Sequence, residues 1–142
     1  MVTPPIDLTT LHKAIEALSG AIHFWVTENA TSGRKPHLRA GVIQSFEFTY
    51  ELAIRQLRRV LIERAISAET ITDLSFNDLL RAGADAGLLP EPLGWRRWRE
   101  LRNRTSHSYD ELQAQEIAEE VCLFLADARA LHARLLQALS DQ

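Results

Sequence analysis

Residues 110–139 read DELQAQEIAEEVCLFLADARALHARLLQAL, and this stretch decides the fold. Ile117, Val121, Phe124, Ala128, Leu131 and Leu135 recur at spacings of 4, 3, 4, 3 and 4. That is one apolar stripe on a long helix. Asp110 followed by Gln113 supplies a cap for its start, and the pattern continues to about Leu139. Working outward, Leu8, Leu11, Ile15, Leu18, Ile22 and Trp25 repeat at 3, 4, 3, 4 and 3, which predicts a helix from about residue 7 to residue 29. Thr31-Ser32-Gly33 ends it, and Pro36 suits the first turn of a second helix. The second helix is predicted to run to about residue 66, with Phe46, Tyr50, Ala53, Leu57 and Val60 on one face. At roughly 1.5 Å per residue it is about 45 Å long, which favours an elongated bundle. Ser75 and Asp78 start a short third helix that should stop near Gly83 or Gly87, before the turn Leu88-Leu89-Pro90-Glu91-Pro92. A fourth helix is expected from Pro92 or Leu93 through Trp95 and Trp98 to about His107. No segment alternates as a strand does. The expected architecture is all-α: an antiparallel up-and-down bundle of four to five helices, one domain over residues 1–142.

Composition narrows the function. The 142 residues suffice for one core, so no disulfide or metal staple is needed, and the single cysteine, Cys122, cannot form an intrachain disulfide. Cys122 lies beside the apolar stripe of the last helix and is expected to be an inert buried thiol. His12, His23, His37, His107 and His132 are scattered, with no His-Glu-x-x-His and no cysteine pair, so no metal site is expected. No Gly-x-x-x-x-Gly-Lys, Gly-x-Gly-x-x-Gly or Gly-x-Ser-x-Gly occurs, and no cofactor is expected. The first residues carry no basic cluster and no apolar run, and no stretch approaches the roughly 20 apolar residues of a membrane span. A cytoplasmic protein without membrane contact is therefore expected.

Chemistry concentrates in residues 95–111. Arg96, Arg97, Arg99, Arg102 and Arg104 stand against one acid, Glu100, within 96–104, a local charge of +4 in a chain of formal charge -3. The remainder therefore carries -7. Such a patch can hold RNA phosphate, or it can be a helix face ion-paired to its neighbours; charge alone favours the latter. Glu47 and Glu51, four apart on the second helix, are the expected ion-pair partners of the arginines. Trp95 and Trp98 could stack on bases, but core or dimer anchors are the commoner role of such residues. Asn103 and His107, four apart, share a helix face, whereas Arg102 and His107 lie about 140° apart around the axis. Arg102 and His107 can meet one ligand only near the helix end or across a dimer axis. Histidine exchanges protons near neutral pH and arginine grips phosphate, a sufficient set for metal-free RNA cleavage. A bare Arg-x-x-x-x-His is nonetheless a loose pattern.

The longer string is more specific. Arg102-Asn103-Arg104-Thr105-Ser106-His107-Ser108-Tyr109-Asp110-Glu111 resembles the Arg-Asn-x-Thr-Ser-His-x-Tyr-Asp-Glu stretch of the HepT-like branch of the HEPN superfamily, which includes proteins called nucleotidyltransferase substrate-binding proteins. Phe46-Glu47-Phe48-Thr49-Tyr50-Glu51-Leu52 is similar to that branch's Phe-Glu-x-x-Tyr-Glu-Leu motif, and Arg81-Ala82-Gly83-Ala84-Asp85-Ala86-Gly87-Leu88-Leu89 is a looser match to its Arg-x-Ala-x-x-x-Gly-Leu-Ile segment. The resemblance covers about residues 40 to 140. It implies a homodimer whose Arg-x-x-x-x-His residues line a shared cleft and cleave RNA without metal. His107 would then be the acid/base, Arg102 the phosphate clamp and Asn103 an orienting residue; from the charge run itself, Arg96, Arg97, Arg99 and Arg104 are the RNA-binding candidates. It also implies a toxin paired with a cognate minimal nucleotidyltransferase as antitoxin, which transfers AMP to the motif's tyrosine, here Tyr109. Without the resemblance, Tyr109 would be read as a packing aromatic. The alternative is a non-catalytic substrate-binding subunit of a two-chain nucleotidyltransferase. The chain has neither Gly-Ser nor Asp-x-Asp, so it is not the transferase half.

Overall fold

A computed structural model describes residues 5–65 and 68–141. The elements are α1 (Thr9–Thr27), α2 (Lys35–Arg64), α3 (Ala68–Thr72), α4 (Phe76–Asp85), α5 (Pro92–Arg104), a 3-10 turn (Thr105–His107) and α6 (Glu111–Ser140). The stripes read from the sequence are the buried faces: Leu11, Ile15, Leu18 and Trp25 on α1, and Ile117, Val121, Phe124, Ala128, Leu131 and Leu135 on α6. Ile22 is the exception, packing only part-buried at the edge of the core.

Contacts between helices give the topology. His12 and Glu16 of α1 meet His132 and Arg129 of α6 in reverse order, so these helices are antiparallel. Arg39 and Phe46 of α2 meet Gln115 and Phe124 of α6 in the same order, so these are parallel. Arg104, Arg97 and Trp98 of α5 meet Glu116, Glu120 and Asp127 of α6 antiparallel. The four long helices α1, α2, α5 and α6 therefore run up, down, up, down, as expected of an antiparallel bundle. The small helices α3 and α4 fill the connection from α2 to α5.

Helix ends follow local chemistry. The Asp110 carboxylate accepts from Leu112 N at 2.9 Å and caps α6. The Ser75 hydroxyl accepts from Asp78 N at 3.2 Å and caps α4. Of the two glycines offered as the end of α4, Gly87 is the one: its φ is 77°, and Leu88 N reaches back to Gly83 O at 2.9 Å while Gly87 N reaches Ala84 O at 3.0 Å. Gly83 serves instead as a close-approach point, where an added Cβ would lie 2.9 Å from Leu89 Cδ1. Lys35 ties the end of α1 to the start of α2, donating to the Trp25 and Glu28 carbonyls. The expected end of α2 near residue 66 falls outside the described residues, and Arg64 is its last described helical residue. The short α3 has no counterpart in the sequence reading.

An aromatic cluster centred on Phe124 joins α2, α5 and α6. The Phe124 ring lies 4.9 Å from Phe46, 5.6 Å from Trp95 and 5.5 Å from Trp98, edge to face in each case. Trp98 Nε1 donates to Asp127 Oδ2 at 2.7 Å, which satisfies its one polar atom. Both tryptophans are buried, as core anchors rather than base-stacking platforms. This cluster is the rigid base on which the end of α5 is mounted. No described helix is long and apolar enough to cross a membrane.

Candidate functional site

The site lies where α5 ends. Trp98, Leu101 and Thr105 continue one buried stripe, so the residues between them point outward or sideways. Thr105 places a hydroxyl in that apolar stripe. It accepts from Arg102 Nη1 at 3.0 Å, and it lies 2.6 Å from the Arg102 carbonyl oxygen and 3.2 Å from Glu47 Oε2. Ser106 likewise donates to the Asn103 carbonyl at 2.9 Å. These two hydroxyls compete for carbonyls of the last α-helical turn, and the chain tightens into the 3-10 turn 105–107. The α-helix therefore stops at Arg104, short of the expected His107.

Arg102 is anchored from below. Its Nη1 lies 2.9 Å from Glu47 Oε2, and its Nε and Nη2 donate to Glu51 Oε1 at 3.1 and 2.7 Å. The expected pairing of Glu47 and Glu51 with the arginine cluster is thus present, and both converge on one arginine. A fork held by two carboxylates and a hydroxyl is fixed in position.

His107 ends the 3-10 turn, and Tyr109 follows it two residues on, before α6. Both are exposed, Tyr109 at 86%. Their ring centroids are 6.4 Å apart at an interplanar angle of 63°. The exposure of Tyr109 removes the packing role that its position alone suggested. Two α steps of about 100° and three 3-10 steps of about 120° separate Arg102 from His107 by about 160°. The wide separation expected around the axis is retained, but the 3-10 turn overturns the shared face expected of Asn103 and His107: one α step and three 3-10 steps set them about 100° apart. Arg102 faces α2 and His107 faces solvent, with no ion pair or hydrogen bond between them among the described residues. Asn103 is exposed on the α4 side of the site.

The remaining arginines divide into two groups. Arg97 pairs with Glu120 at 3.3 Å and lies over Trp98, while Arg104 pairs with Glu120 at 2.7 Å and Glu116 at 3.8 Å. Arg96 and Arg99 turn the other way, toward Asn77 and Phe76 of α4. Charge counting could not separate these groups, since the division depends on which helix lies on each side of α5.

Sequence reasoning missed Thr105. A polar residue within an apolar stripe was the available signal. It also missed a cavity of about 310 Å³ between the first half of α2 and the turn before α6. Arg39, Gln44, Glu47 and Ser108 are among its lining residues, so it adjoins Glu47 of the Arg102 anchor. No group of three or more His, Cys, Asp or Glu residues is arranged to hold a metal ion among the described residues. Cys122 is half-buried and donates weakly to the Ala118 carbonyl; burial pushes its thiol pKa up, away from the reactive thiolate.

Three comparisons bear on this geometry. Residues 6–137 match the family described as nucleotidyltransferase substrate binding protein like. The chain is 37% identical over 142 residues to a protein of Haemophilus influenzae named "Probable ribonuclease HepT", covering 96% of this chain and 97% of that one. It also superposes on a solved Haemophilus influenzae structure with a TM-score of 0.83 and 30% identity, over 91% of this chain and 98% of the other. That structure is described as revealing the fold of a substrate-binding domain of a nucleotidyltransferase. With the Arg102–Tyr109 string placed on one helix end of the matching fold, the chain belongs to the nucleotidyltransferase substrate-binding protein family, in its HepT-like branch.

Proposed function

We propose that the chain is a metal-independent endoribonuclease of the HEPN type, a single helical domain acting as a homodimer. The observation that carries this reading is the exposed pair His107 and Tyr109 just beyond the end of α5, where Arg102 is anchored to α2. Neutral His107 takes the proton of an RNA 2'-hydroxyl, whose oxygen attacks the adjacent phosphorus. The P–O5' bond then breaks, and a protonated His107 returns the proton to the leaving 5'-oxygen. Arg102 stabilises the negative charge on the phosphorus oxygens, and Asn103 orients the phosphate. Because Arg102 and His107 face opposite ways on one protomer, a second copy supplies the complementary residue.

In this reading the protein is the toxin of a toxin–antitoxin pair, acting in the cytoplasm. A cognate minimal nucleotidyltransferase silences it by transferring AMP to Tyr109. The exposed phenol can reach a second protein's active site, and the added phosphate and nucleoside crowd His107 with bulk and negative charge. The likeness to a nucleotidyltransferase substrate-binding domain also supports a second reading, a non-catalytic subunit that presents a substrate to the transferase chain.

RNA incubated in EDTA with the purified wild type and with His107→Ala separates the two. The ribonuclease reading expects cleavage by the wild type and a fall of about 10²- to 10⁴-fold in the variant. Equal cleavage by both removes His107 from the chemistry, and no cleavage by either leaves the subunit reading.

A further inference from the structure

Arg96, Arg99 and Asn103 follow one another at helical spacing along the side of α5 that faces α4. Arg96 Nε donates to Asn77 Oδ1 at 3.1 Å, and the Arg99 guanidinium lies 4.6 Å from the Phe76 ring centroid. Cavities of about 380 and 250 Å³ adjoin at Asn77 and Arg96. They lie end to end along the α4–α5 face, from Asn103 past Arg99 and Arg96 to Arg81 and Leu93, with the Arg96–Asn77 hydrogen bond between them. From residue 103 to residue 93 the α5 axis rises about 15 Å.

Charge distinguishes this side of α5 from the other. Arg97 and Arg104 are neutralised by Glu116 and Glu120 of α6. Neither Arg96 nor Arg99 forms an ion pair among the described residues, although the exposed Glu100 also lines the groove. Arg99 lies beside the Phe76 ring and is exposed. Such a guanidinium accepts a stacked base while its edge meets phosphate, and the Asn77 amide offers a donor and an acceptor to a base edge.

We propose that the α4–α5 groove binds a single-stranded segment of RNA and leads it to His107, with Arg96 and Arg99 holding phosphates and Arg99 stacking on a base. The segment enters beside Leu93 and Arg81 and reaches the helix end at Asn103. This inference rests on the ribonuclease reading for the direction of the track. It does not rest on that reading for the existence of the binding surface.

The test is fluorescence anisotropy of a short labelled single-stranded RNA, titrated with the His107→Ala protein so that the probe stays intact. Adding Arg96→Ala and Arg99→Ala together should raise Kd at least tenfold and reduce the slope of log Kd against log salt by about 1.4, as for two phosphate contacts. Replacing both with lysine preserves the charge and guards against loss of the Arg99–Phe76 packing; it should keep the slope while weakening binding. Arg129→Ala, which removes one cation from the α1–α6 side, is the reference. If the double alanine variant moves Kd and slope no more than Arg129→Ala does, or if no variant binds RNA, the track is overturned. His107-dependent cleavage with binding indifferent to Arg96 and Arg99 overturns the track and leaves the ribonuclease reading standing. Groove-dependent binding without cleavage by the wild type upholds the track and removes that reading.

Discussion

Arg102 and Glu47 meet at 2.9 Å across the junction of α2 and α5, each about one-third exposed. Glu51 closes on the same guanidinium at 2.7 Å, and Thr105 completes the anchor. The arginine proposed to clamp phosphate is thus also the bolt between two long helices. Its replacement should register in stability as well as in activity.

Arg102→Ala is expected to lower the unfolding free energy by about 1.5–3 kcal/mol, the usual range for hydrogen bonds to charged groups. Arg102→Lys should recover only part of this, because an ammonium cannot span Glu47, Glu51 and Thr105 as the fork does. Urea unfolding of the three proteins checks it. Equal midpoints for wild type and alanine variant would show that the anchor carries no stability.

Tyr109→Phe should leave folding unchanged within about 0.5 kcal/mol, since the ring is 86% exposed. It should abolish any gain of AMP when the protein is incubated with ATP and its cognate nucleotidyltransferase, read by mass spectrometry of the peptide containing residue 109. AMP addition to the phenylalanine variant would place the acceptor elsewhere.

Burial pushes the Tyr50 phenol up to about 12, so the folded state keeps its proton where the unfolded chain, near 10, has lost it. The stability that comes with this raised value is complete below pH 10 and is lost as pH rises through 12, by at most about 1.4 kcal/mol per pH unit. Tyr50→Phe should flatten the fall of Tm between pH 10 and 12. An unchanged slope would mean that the loss comes from other groups.

Gly83→Ala places a methyl 2.9 Å from Leu89 Cδ1 and 3.4 Å from Leu57 Cδ1, and should cost about 1–3 kcal/mol by overpacking. Gly87→Ala meets nothing within 4 Å but must hold φ near 77°, and should cost about 1 kcal/mol. Thermal unfolding of both separates a steric cost from a conformational one. If adding Leu89→Ala fails to restore part of the Gly83→Ala loss, the clash is not its cause.

Much of this arrangement is written in local spacing. The stripes of α1 and α6, the Ser75 and Asp110 caps, Pro36 at the start of α2 and the Glu47–Glu51 pairing follow from residues three and four apart. Three features do not. Periodicity registers side-chain faces and carries α5 to about His107, whereas the Thr105 and Ser106 hydroxyls act on carbonyls and the α-helix ends at Arg104. The five residues of α3 are too few to show a period. The sorting of the arginines depends on α4 and α6 lying on opposite sides of α5, a tertiary fact that no run of charges contains.

That sorting also changes how the molecule looks from a distance. Arg97, Arg102 and Arg104, three of the five arginines in 96–104, face glutamates of the same chain. At separations beyond a Debye length of roughly 8 Å the segment therefore projects far less field than its composition suggests, on a body that is otherwise acidic. On the proposed ribonuclease reading, RNA would be met without steering, at encounter rates of about 10⁵–10⁶ M⁻¹s⁻¹. Selection among RNAs would then fall to dissociation, after contact, by the few cations left unpaired.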